Sequence, residues 1–293
     1  MKKIKEVGSY LSLVKFSHTV FAMPFAFIGY FMAVNQQDKF EWKILIYVVL
    51  CMIFARNAVM AFNRCFDNDF DKDIDKKNPR TAVREIPSGI IKSSNALIFV
   101  AINSILFVVA AGLINWLVFA LSPIALLVVL GYSFTKRFTA LCHFILGLGL
   151  SLAPIGAYLS VTGHFDVLPI LLSIAVLTWT AGFDIIYALQ DYSFDNHQKL
   201  KSIPVRLGQK GALTISVLSH TITAILIFVV VYFSAQGILA WIGAGIFFIL
   251  LIYQHLIVKP NDLSKVNMAF FTLNGIASIV FAAFLITDMY FKI

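Results

Sequence analysis

The chain is a succession of apolar stretches separated by short polar ones. Segments of roughly 20 mostly apolar residues, the length a helix needs to cross a hydrocarbon layer about 30 Å thick, recur nine times, at 16–34, 43–62, 95–114, 116–134, 140–160, 167–189, 212–232, 238–258 and 267–291. Strands of a membrane barrel would alternate apolar and polar residues over about ten positions, whereas the run from Ile222 to Phe233 is apolar on every side. The pattern predicts an all-α fold: an integral membrane helical bundle of nine transmembrane helices, a single domain over residues 1–293.

Composition supports this class and removes others. Of 293 residues 60% are apolar and 13% charged, against about 25% charged in a soluble domain. Three cysteines (Cys51, Cys65, Cys142), in or beside apolar runs, offer no disulfide framework or Cys-x-x-Cys metal site and are expected to pack. A net charge of +8 would raise nucleic acid as a partner in a soluble protein. Here the positive charge follows the connections instead, and the expected partner is the lipid bilayer, with no nucleic acid.

Short cytoplasmic loops retain Lys and Arg. The amino terminus and the second, fourth, sixth and eighth connections together hold nineteen, the opposite side three, and Arg56 lies inside the second span. The amino terminus is therefore expected in the cytoplasm and the carboxyl terminus outside. The first apolar run lacks a small-residue cleavage pattern and should stay as a span. With no arginine- and serine-rich transit sequence, the expected location is a bacterial cytoplasmic (inner) membrane.

Eight of the 15 acidic residues fall in two segments, Asp67, Asp69, Asp71, Asp73 and Asp75 after the second span and Asp184, Asp191 and Asp195 at the end of the sixth. Both lie at cytoplasmic ends, so they share a depth. If the second span continues as a helix, Asn63, Asp67, Asp71 and Asp75 form one stripe, since residues four apart stack on a helix face. Asp69 and Asp73 then point away and, with Glu85, are expected to face solvent. Asp191 and Asp195 repeat the spacing on a second helix, with Tyr187 and Asp184 one and two turns earlier.

Hard oxygen ligands suit Mg²⁺, which binds through a few carboxylates and substrate phosphates. Zinc would want more than the nearby Cys65 and His197. A calcium loop fails because Lys72 stands where Gly is required and Asn78 where Glu is. Two facing carboxylate stripes predict a Mg²⁺-diphosphate site. Cations stand near it: Arg80 and Arg84 after the first stripe, Lys136 and Arg137 capping the fourth span, and Lys199, Lys201 and Arg206 after the second pair. Fixed cations stabilise the charge that a departing diphosphate gains. Taken singly, each also serves as a positive-inside marker.

The stretch NRCFDNDFDKDIDKKNPRTAVREIPSG from Asn63 resembles the first signature of the UbiA-type membrane prenyltransferases, an Asn followed by Asp four and eight residues on. FDIIYALQDYSFDNHQKLKSIPVRLG from Phe183 resembles their second, Asp-x-x-x-Asp. With the nine spans, the likeness covers nearly the whole chain and is greatest to the 4-hydroxybenzoate polyprenyltransferases and their relatives in menaquinone synthesis. The first signature fits two registers, Asn63/Asp67/Asp71 or Asp67/Asp71/Asp75, so Asp67 and Asp71 belong to both.

The resemblance implies that Mg²⁺ held by Asp67, Asp71, Asp191 and Asp195, with Asn63 or Asp75, binds the diphosphate of a polyprenyl donor. The donor ionises to an allylic cation and is attacked by the ring of an aromatic acid, in ubiquinone or menaquinone biosynthesis. Substrate contacts are expected from Lys136, Arg80, Arg84, Asp184 and Tyr187. The 28 Phe suit a prenyl tail and a desolvated cation, though most will face lipid or core. An acceptor carboxylate calls for a cation, and Lys15, His18 and Arg56 are the candidates. An intramembrane Arg costs about 2.5–3.5 kcal/mol to insert, which favours a functional role or an ion pair with a motif acid. Two other readings remain open: a secondary transporter, with Gly- and Pro-interrupted spans around Pro24 and Pro154, and the same chemistry directed to haem or a chlorin.

Overall fold

The computed structural model describes residues 22–71, 85, 86, 88, 90–234 and 237–291, with 67–71 described for their backbone alone. The elements are all helical: α1 (Met23–Gln37), α2 (Trp42–Asp71), α3 (Ser93–Gly112), α4 (Trp116–Thr135), α5 (Cys142–Thr162), α6 (Val167–Ala188), a 3₁₀ turn (Leu189–Asp191), α7 (Tyr192–His197), α8 (Ile203–Ser234), α9 (Leu239–Ile257), a π-helical turn (Met268–Leu273) and α10 (Asn274–Phe291). Among the described residues eight helices are long and apolar enough to cross a membrane. They correspond to the second to ninth apolar segments. The start of the first segment lies outside the described residues, and α1 covers its remainder.

The protein is a multi-span membrane protein, and its surface fits that medium. Trp116 and Leu127 on α4 are 78% and 73% exposed, positions that only lipid could cover without cost. The enclosed centre is α6, which packs between α5 and α8, while α2 pairs with α3, α1 with α5 and α9 with α10. Trp179 of α6 is fully buried and meets Phe25 of α1 at 5.0 Å and Phe247 of α9 at 5.9 Å, with Phe281 of α10 against Phe25 at 6.3 Å.

Helices in lipid gain no hydrophobic drive from one another, so close packing and polar contacts hold them together. Thr178 and Thr223 hydroxyls meet at 2.8 Å between α6 and α8. The Asn57 amide donates to Asn103 at 3.2 Å between α2 and α3. Asn274 is fully buried and fully used: its Oδ1 accepts from Trp179 Nε1 and Gln254 Nε2, each at 3.0 Å, and its Nδ2 donates to the Ala269 and Phe270 carbonyls. Those two carbonyls belong to the π turn, so Asn274 helps hold that irregular turn in place.

A Cβ at Gly29 would overlap the Pro154 carbonyl; α1 therefore lies against α5 backbone to backbone. Because backbone rather than a flexible side chain would have to give way, Gly29→Ala is expected to destabilise the bundle by about 3 kcal/mol. The check is the thermal midpoint in detergent, and an unchanged midpoint would refute this packing. Gly208 takes φ +70°, ψ 174° inside α8, a conformation that glycine adopts freely. It kinks the helix near its start.

Candidate active site at one end of the bundle

The two acid segments come to the same end of the bundle. α2 continues without a break past Asn63 to Asp71, so Asn63, Asp67 and Asp71 share a helix face. Phe66, on the same turn, packs against Phe134 at the end of α4 with ring centroids 4.3 Å apart. Two residues on, Lys136 Nζ lies 2.8 Å from Asp195 Oδ2 on α7. The end of α4 thus touches both acid-bearing elements. Arg137 completes the seam, its guanidinium 5.7 Å from the Phe66 ring.

The corner between α4 and α5 also grips the linker before α8. The Lys201 amide donates to the Lys136 carbonyl (2.8 Å), the Cys142 thiol to the Lys201 carbonyl (3.7 Å) and the Ile203 amide to His143 Nε2 (3.4 Å). Lys199 sits at φ +53° in that linker. The second acid segment is therefore held by backbone as well as by charge.

Asp191 and Asp195 are not on one uninterrupted helix. α6 ends at Ala188, a 3₁₀ turn carries Asp191 at its end, and Asp195 lies within the six-residue α7. A four-residue spacing is the same in a regular helix and in a turn followed by a new helix, so the sequence pattern does not distinguish them. Asp195 is 1% exposed, and its Oδ1 accepts no hydrogen bond among the described residues. A buried carboxylate oxygen left in this way is costly and is a natural cation ligand. Burial alone would lower the Lys136 pKa, but the Asp195 carboxylate, aided by Asp191, outweighs it and holds the ammonium above the usual lysine range. Lys136, expected as a diphosphate ligand, is thus paired with an acid of the second motif.

Asp184 lies deeper, about 12 Å along the axis from Asp191 by helical rise. Its Oδ2 is 2.7 Å from His143 Nδ1. No spacing in the sequence links these residues, which are 41 positions apart. The Tyr187 ring is taken by aromatic packing, stacked on Phe270 at 4.1 Å. Arg56 is half-buried in α2, about 10 Å deeper than Asn63, and its Nε is enclosed without a hydrogen-bond partner among the described residues. Glu85, expected in solvent, is half-buried with Oε2 enclosed. Its neighbour Ile86, together with Ile91, is buried against Ala58 and Ala61 of α2, which draws the segment inward.

The side chains of Asp67, Asp69 and Asp71, and the whole of Lys15, His18, Asp73, Asp75, Arg80 and Arg84, lie outside the described residues. Among the described residues no three His, Cys, Asp or Glu side chains converge as a metal set. The residues present nevertheless fit a hard cation, because Asp195 offers a bare buried oxygen and Asp191 stands close enough to act on the same Lys136.

The fold and its acid-lined end define a class: a multi-span helical membrane protein with paired carboxylate segments at one end of the bundle. The sequence profile of the UbiA prenyltransferase family matches residues 22–276. The chain belongs to this family. It is 31% identical over 253 residues to a 4-hydroxybenzoate octaprenyltransferase of Aliivibrio fischeri (strain MJ11), covering 85% of each chain. A UbiA homolog from Aeropyrum pernix K1, solved in its apo form, superposes with a TM-score of 0.82 at 31% identity, over 93% of this chain and 98% of the other. A UbiA homolog from Archaeoglobus fulgidus, solved bound to DMAPP and Mg²⁺, shares the fold with a TM-score of 0.71 at 22% identity, over 97% and 99%.

Proposed function

We propose that this chain transfers a polyprenyl group from a polyprenyl diphosphate to an aromatic acid, 4-hydroxybenzoate or a naphthoate, in ubiquinone or menaquinone biosynthesis. The observation that carries the reading is the meeting of the α2 end with Asp191 and Asp195 through Phe134 and Lys136. Asp191 and Asp195, with Asn63, Asp67 and Asp71 or with Asp75 in the alternative register, would hold Mg²⁺, whose charge would offset that of the diphosphate. Lys136 opposes the burial that raises the Asp195 pKa, and Arg80 and Arg84 follow the first segment as further cations. The bond between prenyl carbon and diphosphate oxygen breaks with its electron pair leaving on the diphosphate. A ring carbon of the acceptor bonds to the prenyl carbon, and the ring proton is lost. Arg56, and Lys15 on the first span, are the cations for the acceptor carboxylate; Asp184 and Tyr187 complete the substrate set.

The same reading places nine spans across a bacterial inner membrane, amino terminus and acid segments on the cytoplasmic side, with residues 1–293 as one domain. The gathering of acids at one end favours an enzyme over a secondary transporter, whose site would lie near mid-membrane.

The test is a panel of 4-hydroxybenzoate, dihydroxynaphthoates and haem against farnesyl to octaprenyl diphosphates, with the purified chain in lipid and products read by mass spectrometry. Prenylated benzoate or naphthoate is expected with Mg²⁺ and none in excess chelator. Prenylation of haem alone would move the acceptor assignment. Solute counterflow without any prenylated product would replace the enzyme by a transporter.

A further inference from the structure

His143 has no place in either acid motif, yet it is 3% exposed and joins three elements. It stands on the first turn of α5, reaches Asp184 of α6 through Nδ1 at 2.7 Å, and accepts the Ile203 amide of α8 at Nε2 at 3.4 Å. A backbone N–H can only donate, so Nε2 is the acceptor and the ring proton sits on Nδ1. The imidazole is thus fixed at one nitrogen by backbone and presents a donor to the Asp184 carboxylate at the other. Only one oxygen of that carboxylate is used: Oδ1 of Asp184 takes no hydrogen bond among the described residues, and the side chain keeps 19% of its surface open.

Along their helices Asp184 lies about 12 Å deeper than Asp191, and Arg56 about 16 Å deeper than Asp67. A ring held below the diphosphate would carry its carboxylate to the cation and its hydroxyl to the acid. We infer that His143 is a positioning residue, which holds Asp184 through Oδ2 so that Oδ1 receives the phenolic hydroxyl of the aromatic acceptor. The inference rests on the aromatic-acid reading above. A phenol donating to a fixed carboxylate gains electron density in its ring, which the attack on the prenyl carbon requires. A carboxylate left free to rotate would lose that alignment, so the effect belongs to the acceptor and not to the donor.

The experiment uses the full chain in lipid and compares wild type, His143→Ala, His143→Asn and Asp184→Asn. His143→Ala is expected to raise the acceptor KM about 30-fold, the scale of one lost hydrogen bond to a charged group, with the polyprenyl diphosphate KM changed by less than about 3-fold. The Nδ2–H of Asn reaches where the imidazole Nδ1–H did, so His143→Asn should recover the acceptor KM to within about 5-fold. The inhibition constant of benzoate, which lacks the hydroxyl, should be the same in wild type and His143→Ala. Equal losses for donor and acceptor, or no rescue by Asn, would make His143 a structural clamp and overturn the inference. Wild type that prenylates no aromatic acid would instead bring down the functional reading, and this inference with it.

Discussion

Asp191→Ala is expected to abolish prenyl transfer, by at least about 10²–10³-fold in kcat, while the protein inserts and unfolds as wild type to within about 1 kcal/mol. Asp191 is half-exposed at the end of a 3₁₀ turn, so its removal opens no buried cavity. What it removes is one of the few oxygens able to share a cation with Asp195, whose Oδ1 is bare and buried. Asp71→Ala should match it, because Asp71 lies on the continuous α2 in both registers of the first segment. The register itself separates on a second pair: Asn63→Ala inactive with Asp75→Ala active selects Asn63/Asp67/Asp71, and the reverse selects the later trio. Wild-type turnover in Asp191→Ala and Asp71→Ala alike would remove the metal-site assignment, whatever the fold.

The same residues mark how far the sequence could be read. The apolar lengths gave the eight spans found among the described residues, because bilayer thickness dictates helix length almost regardless of packing. The extension of α2 to Asp71 was foreseeable from the four-residue stripe, since a helix is the structure that gathers such positions. The break between Asp191 and Asp195 was not, because a 3₁₀ turn running into a short helix preserves the spacing. Partners across the bundle were also illegible. Lys136 read as a diphosphate ligand or as a positive-inside marker, and only the approach of α4 to α7 shows it as the counter-charge of Asp195. His143 sits among apolar residues, with nothing in its neighbourhood to announce an acid 41 positions away. Glu85 looked solvated because the chain around it is polar, yet Ile86 and Ile91 carry it inward.

Lys136→Met is expected to cost about 2–3 kcal/mol of stability and most of the activity. Removing one partner of a buried pair costs about 3–5 kcal/mol; the lower figure applies because Lys136 is 35% exposed and water screens part of the interaction. The loss arises chiefly from Asp195, 1% exposed, which is left buried without its ammonium. Replacing that carboxylate as well should therefore restore folding: Lys136→Met with Asp195→Asn is expected to recover at least half the lost stability and none of the activity. The two halves of the pair then separate into a structural part, which Asn and Met can replace, and a chemical part, which they cannot. The pH dependence has a definite sign. Because Lys136 is held above the ordinary lysine range, its share of stability is complete below about pH 10 and is lost only as pH rises through the elevated value. The midpoint difference between wild type and Lys136→Met should thus gain no slope from the lysine over about pH 6–9. Thermal midpoints of the three proteins in one detergent check all of this, and a single mutant as stable as wild type would show that Asp195 has another counter-charge.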